Sequence, residues 1–316
     1  MRLNSLNANF PSKGLYSNLN PQPVEFTRNL PTGGFVEVDA FAKINLFLAV
    51  VGKRTDGYHD LVSVMQTINL RDRLVISKCA AQETPVKLEV NIPNLPTDDT
   101  NLVVKAAKLL MGKYNICEPV HITLEKRIPM GAGLGGGSSN CAATLHGLNK
   151  LFDLNIPLNK LMELGKTLGA DVPFCLMGGT ALAEGIGEKL TPLPPYPHCY
   201  VVLACPNIHV STGEIFGRIG HHFPPANIEK FMSAYESGDI TRIAQNFENT
   251  FTPITAELYP QISTLITDLQ NQGALGACMT GTGSAVFAYF NDENKAQKAC
   301  NILQHTHKNT KFFSIG

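Results

Sequence analysis

Pro129-Met130-Gly131-Ala132-Gly133-Leu134-Gly135-Gly136-Gly137-Ser138-Ser139 is the stretch on which the reading of this chain turns. Five of the seven residues from Gly131 to Gly137 lack a Cβ, so the main chain there can take positive φ and bring bare N–H groups close to an anion. Two hydroxyls follow at once. Beyond them Cys141, Leu145, Leu148 and Phe152 are spaced as one face of a helix over residues 139–152. The loop therefore opens a helix whose N-terminal dipole points at whatever the glycines cradle. A phosphate loop is the functional reading, and a ligand-free surface loop is the plain alternative.

Two familiar phosphate loops fit poorly. No Gly-x-x-x-x-Gly-Lys-Ser/Thr string occurs in the chain. Gly131, Gly133 and Gly136 do satisfy G-x-G-x-x-G, with Asp153 at the distance of a ribose-binding acid. The preceding strand, Val120 to Arg127, alternates apolar and polar as a strand with one wet face does, whereas a dinucleotide fold opens on a strand buried on both faces. Pro129 and the length of the glycine run also suit a tight strand-to-helix turn badly.

Working outward, residues 35–51 read as one long strand whose even positions, Val36 to Val50, are all apolar. The odd face carries Glu37, Asp39, Phe41, Lys43, Asn45 and Phe47, which puts Lys43 and Asn45 together on the side away from the core. A mid-strand lysine is either a snorkelling surface residue or a positioned cation. Asp171 follows a helical stretch, 158–168, and precedes Val172-Pro173, so it suits an N-cap carboxylate; the competing reading is a cleft carboxylate beside Lys43. Asp56-Gly57 is a turn ahead of Tyr58 and His59. The C-terminal part reads as a strand over 199–205, helices within 211–247 and a helix over 257–272. Strands near 276–280 and 284–290, a helix over 292–305 and a last strand near 310–315 follow. Gly281-Thr282-Gly283-Ser284 makes the turn between the middle two strands.

The glycine stretch with Asn140 resembles the second motif of the GHMP small-molecule kinases, in the branch acting on 4-diphosphocytidyl-2-C-methyl-D-erythritol. Three more blocks stand in that family's order: Ala42 to Leu48 with Asp56-Gly57-Tyr58-His59, then Leu168 to Phe174, then Thr280 to Ser284. The resemblance covers residues 36–316 and implies an α+β fold of two domains, a ribosomal-protein-S5-like N-terminal domain (34–195) and a ferredoxin-like C-terminal domain (196–316). It implies ATP and Mg²⁺, with Pro129, Met130, Gly131, Ala132, Gly133, Leu134, Gly135, Gly136, Gly137, Ser138 and Ser139 around the nucleotide phosphates and Ser138 or Ser139 meeting the metal. Lys43 and Asp171 are the implied catalytic pair. Asn45, Tyr58, His59, Asp171, Thr212, Phe216 and Gly281 are the implied substrate residues, Tyr58 and Phe216 as two faces of a sandwich around cytosine. The implied reaction phosphorylates the 2-hydroxyl of that compound in non-mevalonate isoprenoid synthesis. The family often has acids where this chain has Asn249 to Thr252, so that segment receives no role. The rivals are a GHMP kinase for homoserine, mevalonate or a sugar, a silent ATP-binding protein, and a dinucleotide oxidoreductase.

Composition narrows the classes. At 316 residues two domains sharing a cleft are expected, with a monomer or weak homodimer as the assembly. The 26 basic residues balance the 26 acidic ones, so no field points to nucleic acid or an anionic membrane, and no apolar run reaches spanning length. The eight cysteines show no C-x-x-C pair and sit mostly in apolar runs, which fits a reducing cytoplasm. His221-His222 and His305-x-His307 read as solvated surface histidines rather than metal ligands. Residues 1–33 carry no acid before Glu25 and no hydrophobic period; they read as a disordered extension, or as a transit peptide that would place the protein in an organelle stroma.

Overall fold

The computed structural model describes residues 34–79, 84–220, 223 and 227–316. The expected extension over residues 1–33 and the His221-His222 pair lie outside the described residues. The first half of the chain runs β1 (Phe35–Lys53), β2 (His59–Lys78), β3 (Val86–Val90), α1 (Leu102–Lys113), β4 (Val120–Glu125), α2 (Gly136–Leu151), α3 (Leu158–Lys166), α4 (Val172–Met177), β5 (Thr180–Gly185) and β6 (Lys189–Pro192). The second half runs β7 (Tyr200–Pro206), α5 (Thr212–Arg218), α6 (Ile228–Glu236), α7 (Ile240–Ala244), β8 (Glu248–Asn249), α8 (Thr252–Leu258), α9 (Gln261–Asn271), β9 (Gly276–Met279), β10 (Val286–Phe290), α10 (Glu293–Thr306) and β11 (Thr310–Ile315).

Alternation of apolar residues makes β1 and β2 a long antiparallel hairpin, and β2 divides its other edge between two partners. Its Arg73–Lys78 half pairs with β4 and its Leu61–Gln66 half with β5. The sheet order is β3-β4-β2-β1-β8, with β6 beyond β5. β8 joins this first sheet in parallel with β1, through Phe47 and Leu48, although it lies outside residues 34–195. The second sheet has the order β11-β7-β10-β9, each pair antiparallel. With helices between β7 and β9 and between β10 and β11, that is the split βαββαβ arrangement of a ferredoxin-like domain.

Three apolar clusters hold the layers. Val38, Ile76, Leu110, Leu145 and Val172 seat the N-terminal helices on one face of the first sheet. α2 lies so close that a Cβ on Gly147 would meet Ile76 Cδ1 at 2.5 Å. Val202, Val286, Leu265 and Leu303 form the core under α9 and α10. A third cluster brings Ile44 and Phe47 of β1 together with Leu203, Phe231 and Phe287, so the two sheets are joined by packed side chains. At about 1.5–3 kcal/mol for each large side chain fully buried, this seam stabilises the fold substantially.

Several expectations need correction. The odd face of β1 is not solvent-facing: Glu37, Asp39, Lys43, Asn45 and Phe47 are all buried. Register shifts at Phe41/Ala42, Asn45/Phe47 and Val50/Gly52 break the strict alternation; Arg73 and Arg71 of β2 pair with Glu37 and Asp39, and the second domain's Thr280-Gly281 turn meets Asn45. Helix α2 starts at Gly136, three residues before the expected 139, because glycines can enter a first turn. The expected helix over 257–272 is two helices, α8 and α9, divided at Tyr259-Pro260. His307 is not a solvated histidine: its Nε2 lies 2.8 Å from Asp268 Oδ2.

Candidate active site

β1 brings Lys43 under the glycine loop. Its N–H donates to Leu134 O at 3.0 Å, and its stem lies against Gly135, where a Cβ would stand 2.9 Å from Lys43 Cγ. Gly135 is thus required twice, for that approach and for its φ of +68°. Gly131 and Gly133 also take positive φ. A Cβ on Gly133 would collide with the Thr280 carbonyl oxygen. The loop delivers the chain into α2 with no side chain capping its first turn. Uncapped N–H groups at the start of a sixteen-residue helix are an anion site by construction.

The two serines separate. Ser139 is buried, whereas Ser138 lines both a nucleotide-sized cavity and a reaction cavity beside it. The first holds about 430 Å³ between the glycine loop and the Leu95–Leu102 side of the fold. The second, about 310 Å³, collects Lys43, Asn45, Asp171, Thr212, Phe216 and Gly281. Gly133 and Gly135 are shared by the two, so the loop forms their common wall.

Within the reaction cavity Lys43 Nζ lies 3.5 Å from Asp171 Oδ2. Asp171 occupies the N-cap position of α4 but makes no side-chain capping bond, so its carboxylate is left for the cavity. Burial pushes the thiol of Cys175, one turn on, well up, and the Asp171 charge adds to the shift. Lys43 is buried, while the Asp171 side chain keeps 31% of its surface exposed. Lys43 Nζ also donates to Asn45 Oδ1 at 2.8 Å.

Asn45 proves to be a junction. Its Oδ1 further accepts from Thr280 Oγ1 and the Gly281 N–H, and its Nδ2 donates to Ser63 Oγ. The Asn45 N–H in turn donates to Thr280 Oγ1 at 3.0 Å. One side chain thereby ties Lys43 of the first domain to the glycine turn of the second. That turn is also held by Asn249, whose Nδ2 donates to Met279 O at 2.7 Å and Gly281 O at 2.9 Å, and by Thr255 Oγ1 donating to Thr282 O. The segment given no role from sequence is thus the clamp of this loop; an asparagine on a two-residue strand carries no periodic signal that would have exposed it.

On the aromatic side Phe216 packs against Phe251 and His59, with ring centroids 4.7 and 5.4 Å away. Tyr58 stands 61% exposed at the tip of the β1–β2 hairpin, where Arg54 pairs with Asp56 and Asp60. Thr212 Oγ1 lies 3.2 Å from Thr282 Oγ1 at the cavity edge. Among the described residues no group of three or more His, Cys, Asp and Glu could hold a metal, and no helix is long and apolar enough to cross a membrane.

Comparison with known proteins agrees with this geometry. Residues 101–179 match the GHMP kinases N terminal domain and residues 231–309 the GHMP kinases C terminal domain. A 4-diphosphocytidyl-2-C-methyl-D-erythritol kinase of Lachnoclostridium phytofermentans is 43% identical over 84% of this chain and 91% of its own length. One from Clostridium botulinum is 44% identical over 83% and 94%. A crystal structure of 4-(cytidine 5'-diphospho)-2C-methyl-D-erythritol kinase superposes with a TM-score of 0.73 at 31% identity, covering 88% of this chain and 98% of that one. Homoserine kinase from Cytophaga hutchinsonii also reaches 0.73, at 18% identity over 92% of this chain and 97% of its own, and so shares the fold. With an ordered glycine loop, a lysine–aspartate pair at its foot and relatives this similar over most of their length, the chain belongs to the 4-diphosphocytidyl-2-C-methyl-D-erythritol kinase family of GHMP kinases.

Proposed function

We propose that this protein transfers the γ-phosphoryl group of ATP to the 2-hydroxyl of 4-diphosphocytidyl-2-C-methyl-D-erythritol, giving the 2-phosphate and ADP, as a step of non-mevalonate isoprenoid precursor synthesis. The observation that carries the mechanism is the Lys43–Asp171 pair, 3.5 Å apart, at the wall shared with the phosphate loop. Phosphoryl transfer asks the protein mainly to position the reactants and neutralise charge. The glycine loop and the uncapped first turn of α2 hold the ATP phosphates. Asp171 takes the proton of the attacking hydroxyl while its oxygen bonds to the γ-phosphorus and the bond to the ADP oxygen breaks. Lys43 pairs with Asp171 and meets the charge on the moving phosphoryl group. Asn45 is the positioning residue that aims Lys43.

The donor set fits Mg²⁺ brought in on the nucleotide. An all-carboxylate cage is lacking among the described residues, while Ser138 offers one hydroxyl to a cation otherwise bound by phosphate oxygens and water. The ion would neutralise phosphate charge. Phe216, which lines the reaction cavity, and His59 packed on it form the aromatic flank to which the cytosine ring is assigned, with Tyr58 the neighbouring residue in the chain. The test is ADP release by purified protein with ATP and Mg²⁺, offered the cytidylated compound, homoserine, mevalonate or galactose. Turnover with the first alone is expected; preference for another alcohol would overturn the substrate, and turnover with none would overturn the reaction.

A further inference from the structure

A third cavity, of about 660 Å³, opens along the seam of the two domains, against the first limb of the glycine loop. Its N-terminal wall is residues 126–130 with Ala132, and its C-terminal wall is formed by the 205–208 and 308–311 segments. Lys126, Arg127, Lys308 and Lys311 line it, and among the described residues no carboxylate does. In a chain with equal numbers of basic and acidic residues, that one-sidedness is local.

Two of these four cations, Lys308 and Lys311, stand outside any ion pair among the described residues. Lys126 spends its ammonium on buried Asp72. Arg127 gives Nε and Nη2 to Glu125, which does not line the cavity, and so presents a charge only partly met. Lys308 and Lys311 are exposed and form no ion pair among the described residues. The Lys311 charge reaches Cys205 at the cavity wall, where it opposes the rise that burial imposes on that thiol. The frame under the two lysines is fixed: Lys311 stands opposite Cys205 in the β11–β7 ladder, and Asn207 N–H donates to Asn309 O at 2.9 Å. Ile208 and Phe313 add apolar surface beside the charges. The volume is in the range of small-molecule sites.

We infer that this cleft is a second anion site, taking a small phosphorylated metabolite and coupled to nucleotide binding through residues 129–132. A phosphate or diphosphate group meets Arg127, Lys308 and Lys311, and the body of the ligand rests on Ile208 and Phe313. Coupling follows from shared walls: Pro129, Met130 and Ala132 line both this cleft and the nucleotide cavity. The Ala285 N–H, donating to Ala132 O at 3.1 Å, fastens the same limb to the second domain. A ligand that fixes this limb alters the conformation in which the glycines meet ATP, and ATP must alter the ligand's affinity by the same factor.

The test uses inorganic pyrophosphate as the probe, titrated calorimetrically into full-length protein whose nucleotide cavity is saturated with ADP and Mg²⁺, free Mg²⁺ being held constant. Binding at one further site per chain is expected, weakened by about tenfold or more in Lys308→Glu/Lys311→Glu and by added salt. Both lysines are on the surface; should charge reversal impair folding, Lys308→Ala/Lys311→Ala carries the same test. No heat from the ADP-saturated protein, or equal affinity in the double variant, overturns the site. Because this arm needs no turnover, its outcome is independent of the proposed reaction. For the coupling, pyrophosphate is expected to shift KM for ATP in the wild type and not in the double variant, while kcat and KM without pyrophosphate are the same in both. An unchanged wild-type KM at saturating pyrophosphate overturns the coupling.

Discussion

Asp72 is fully buried on β2, and its carboxylate accepts from the Arg127 N–H at 2.7 Å, the Ile128 N–H at 2.8 Å and Asn140 Nδ2 at 2.7 Å, besides pairing with Lys126 Nζ. One residue thus fastens the strand before the glycine loop, the loop's entry and the first turns of α2. In Asp72→Asn the amide has one oxygen for four donors. With the oxygen toward the two backbone N–H groups, its NH₂ faces the Lys126 ammonium and Asn140 Nδ2; with the amide flipped, it faces the backbone donors. Either way two donors are unmatched, at about 1–3 kcal/mol each, and a buried ammonium has lost its counter-charge. Breaking a buried pair in this way costs about 3–5 kcal/mol, and that is the loss expected in urea unfolding, together with a raised KM for ATP as the loop's anchor loosens. Adding Lys126→Met tests the reasoning. The charge is then gone, the oxygen of the introduced amide keeps both backbone donors, and, once the Asn140 amide turns over, its NH₂ donates to Asn140 Oδ1, which in the wild type accepts from Lys126 Nζ at 3.1 Å while Nδ2 faces Asp72. Most of the lost stability should return. A double variant less stable than Asp72→Asn, or a single variant within about 1 kcal/mol of wild type, would refute the argument.

Further outcomes follow from the site. Asp171→Asn and Lys43→Ala should each lower kcat by roughly a thousandfold or more while both variants still fold, with the smaller fall in melting temperature in Asp171→Asn, whose side chain makes no capping bond to lose; stopped-assay turnover and a thermal melt decide it. In Gly133→Ala the methyl meets Thr280 O at a backbone φ of +77°, so stability should fall by about 2 kcal/mol or more and KM for ATP rise, while Gly137→Ala, at ordinary helical φ and with only Leu102 Cδ1 nearby at 3.6 Å, should be tolerated. Asn249→Ala removes both bonds to the 279–281 turn and should cut kcat/KM for the alcohol by about 1–3 kcal/mol of transition-state stabilisation, read from initial rates. Burial pushes the thiols of Cys141, Cys205 and Cys278 up to about 12, so at pH 8 a thiol reagent should modify exposed Cys117 first and these three only on unfolding, followed by peptide mass mapping.

Sequence made the elements legible wherever a single period governed them. β1, β4, β7 and β10 lie close to their expected bounds because each alternates or is largely apolar over its length. What it hid was tertiary. The odd face of β1 reads as wet by pattern, yet Lys43 and Asn45 are buried because a second domain, remote in sequence, closes over them. Residues 257–272 read as one helix because apolar spacing continues through the Tyr259-Pro260 break. Glu248-Asn249 could not be seen as part of the first sheet, since a two-residue strand has no period and its pairing with Phe47 and Leu48 is long-range.

The same distinction separates the parts of the site. Glycines betray themselves, because positive φ and close approach exclude other residues, so a candidate phosphate loop is readable from the glycine spacing. Lys43 and Asp171 were ambiguous one at a time: a strand lysine and an N-cap aspartate each have an ordinary structural explanation. The structure removes the second explanation, since the Asp171 side chain caps nothing and turns to the cavity. Asn45 then explains why the pair needs both domains. Its single Oδ1 accepts from Lys43 Nζ, Thr280 Oγ1 and the Gly281 N–H, so the lysine's aim depends on where the C-terminal turn sits, and that position depends on Asn249. A perturbation of the second domain that shifts residues 279–281 therefore reaches the Lys43 ammonium through the Asn45 amide, and reaches β1 itself through the Asn45 N–H on Thr280 Oγ1.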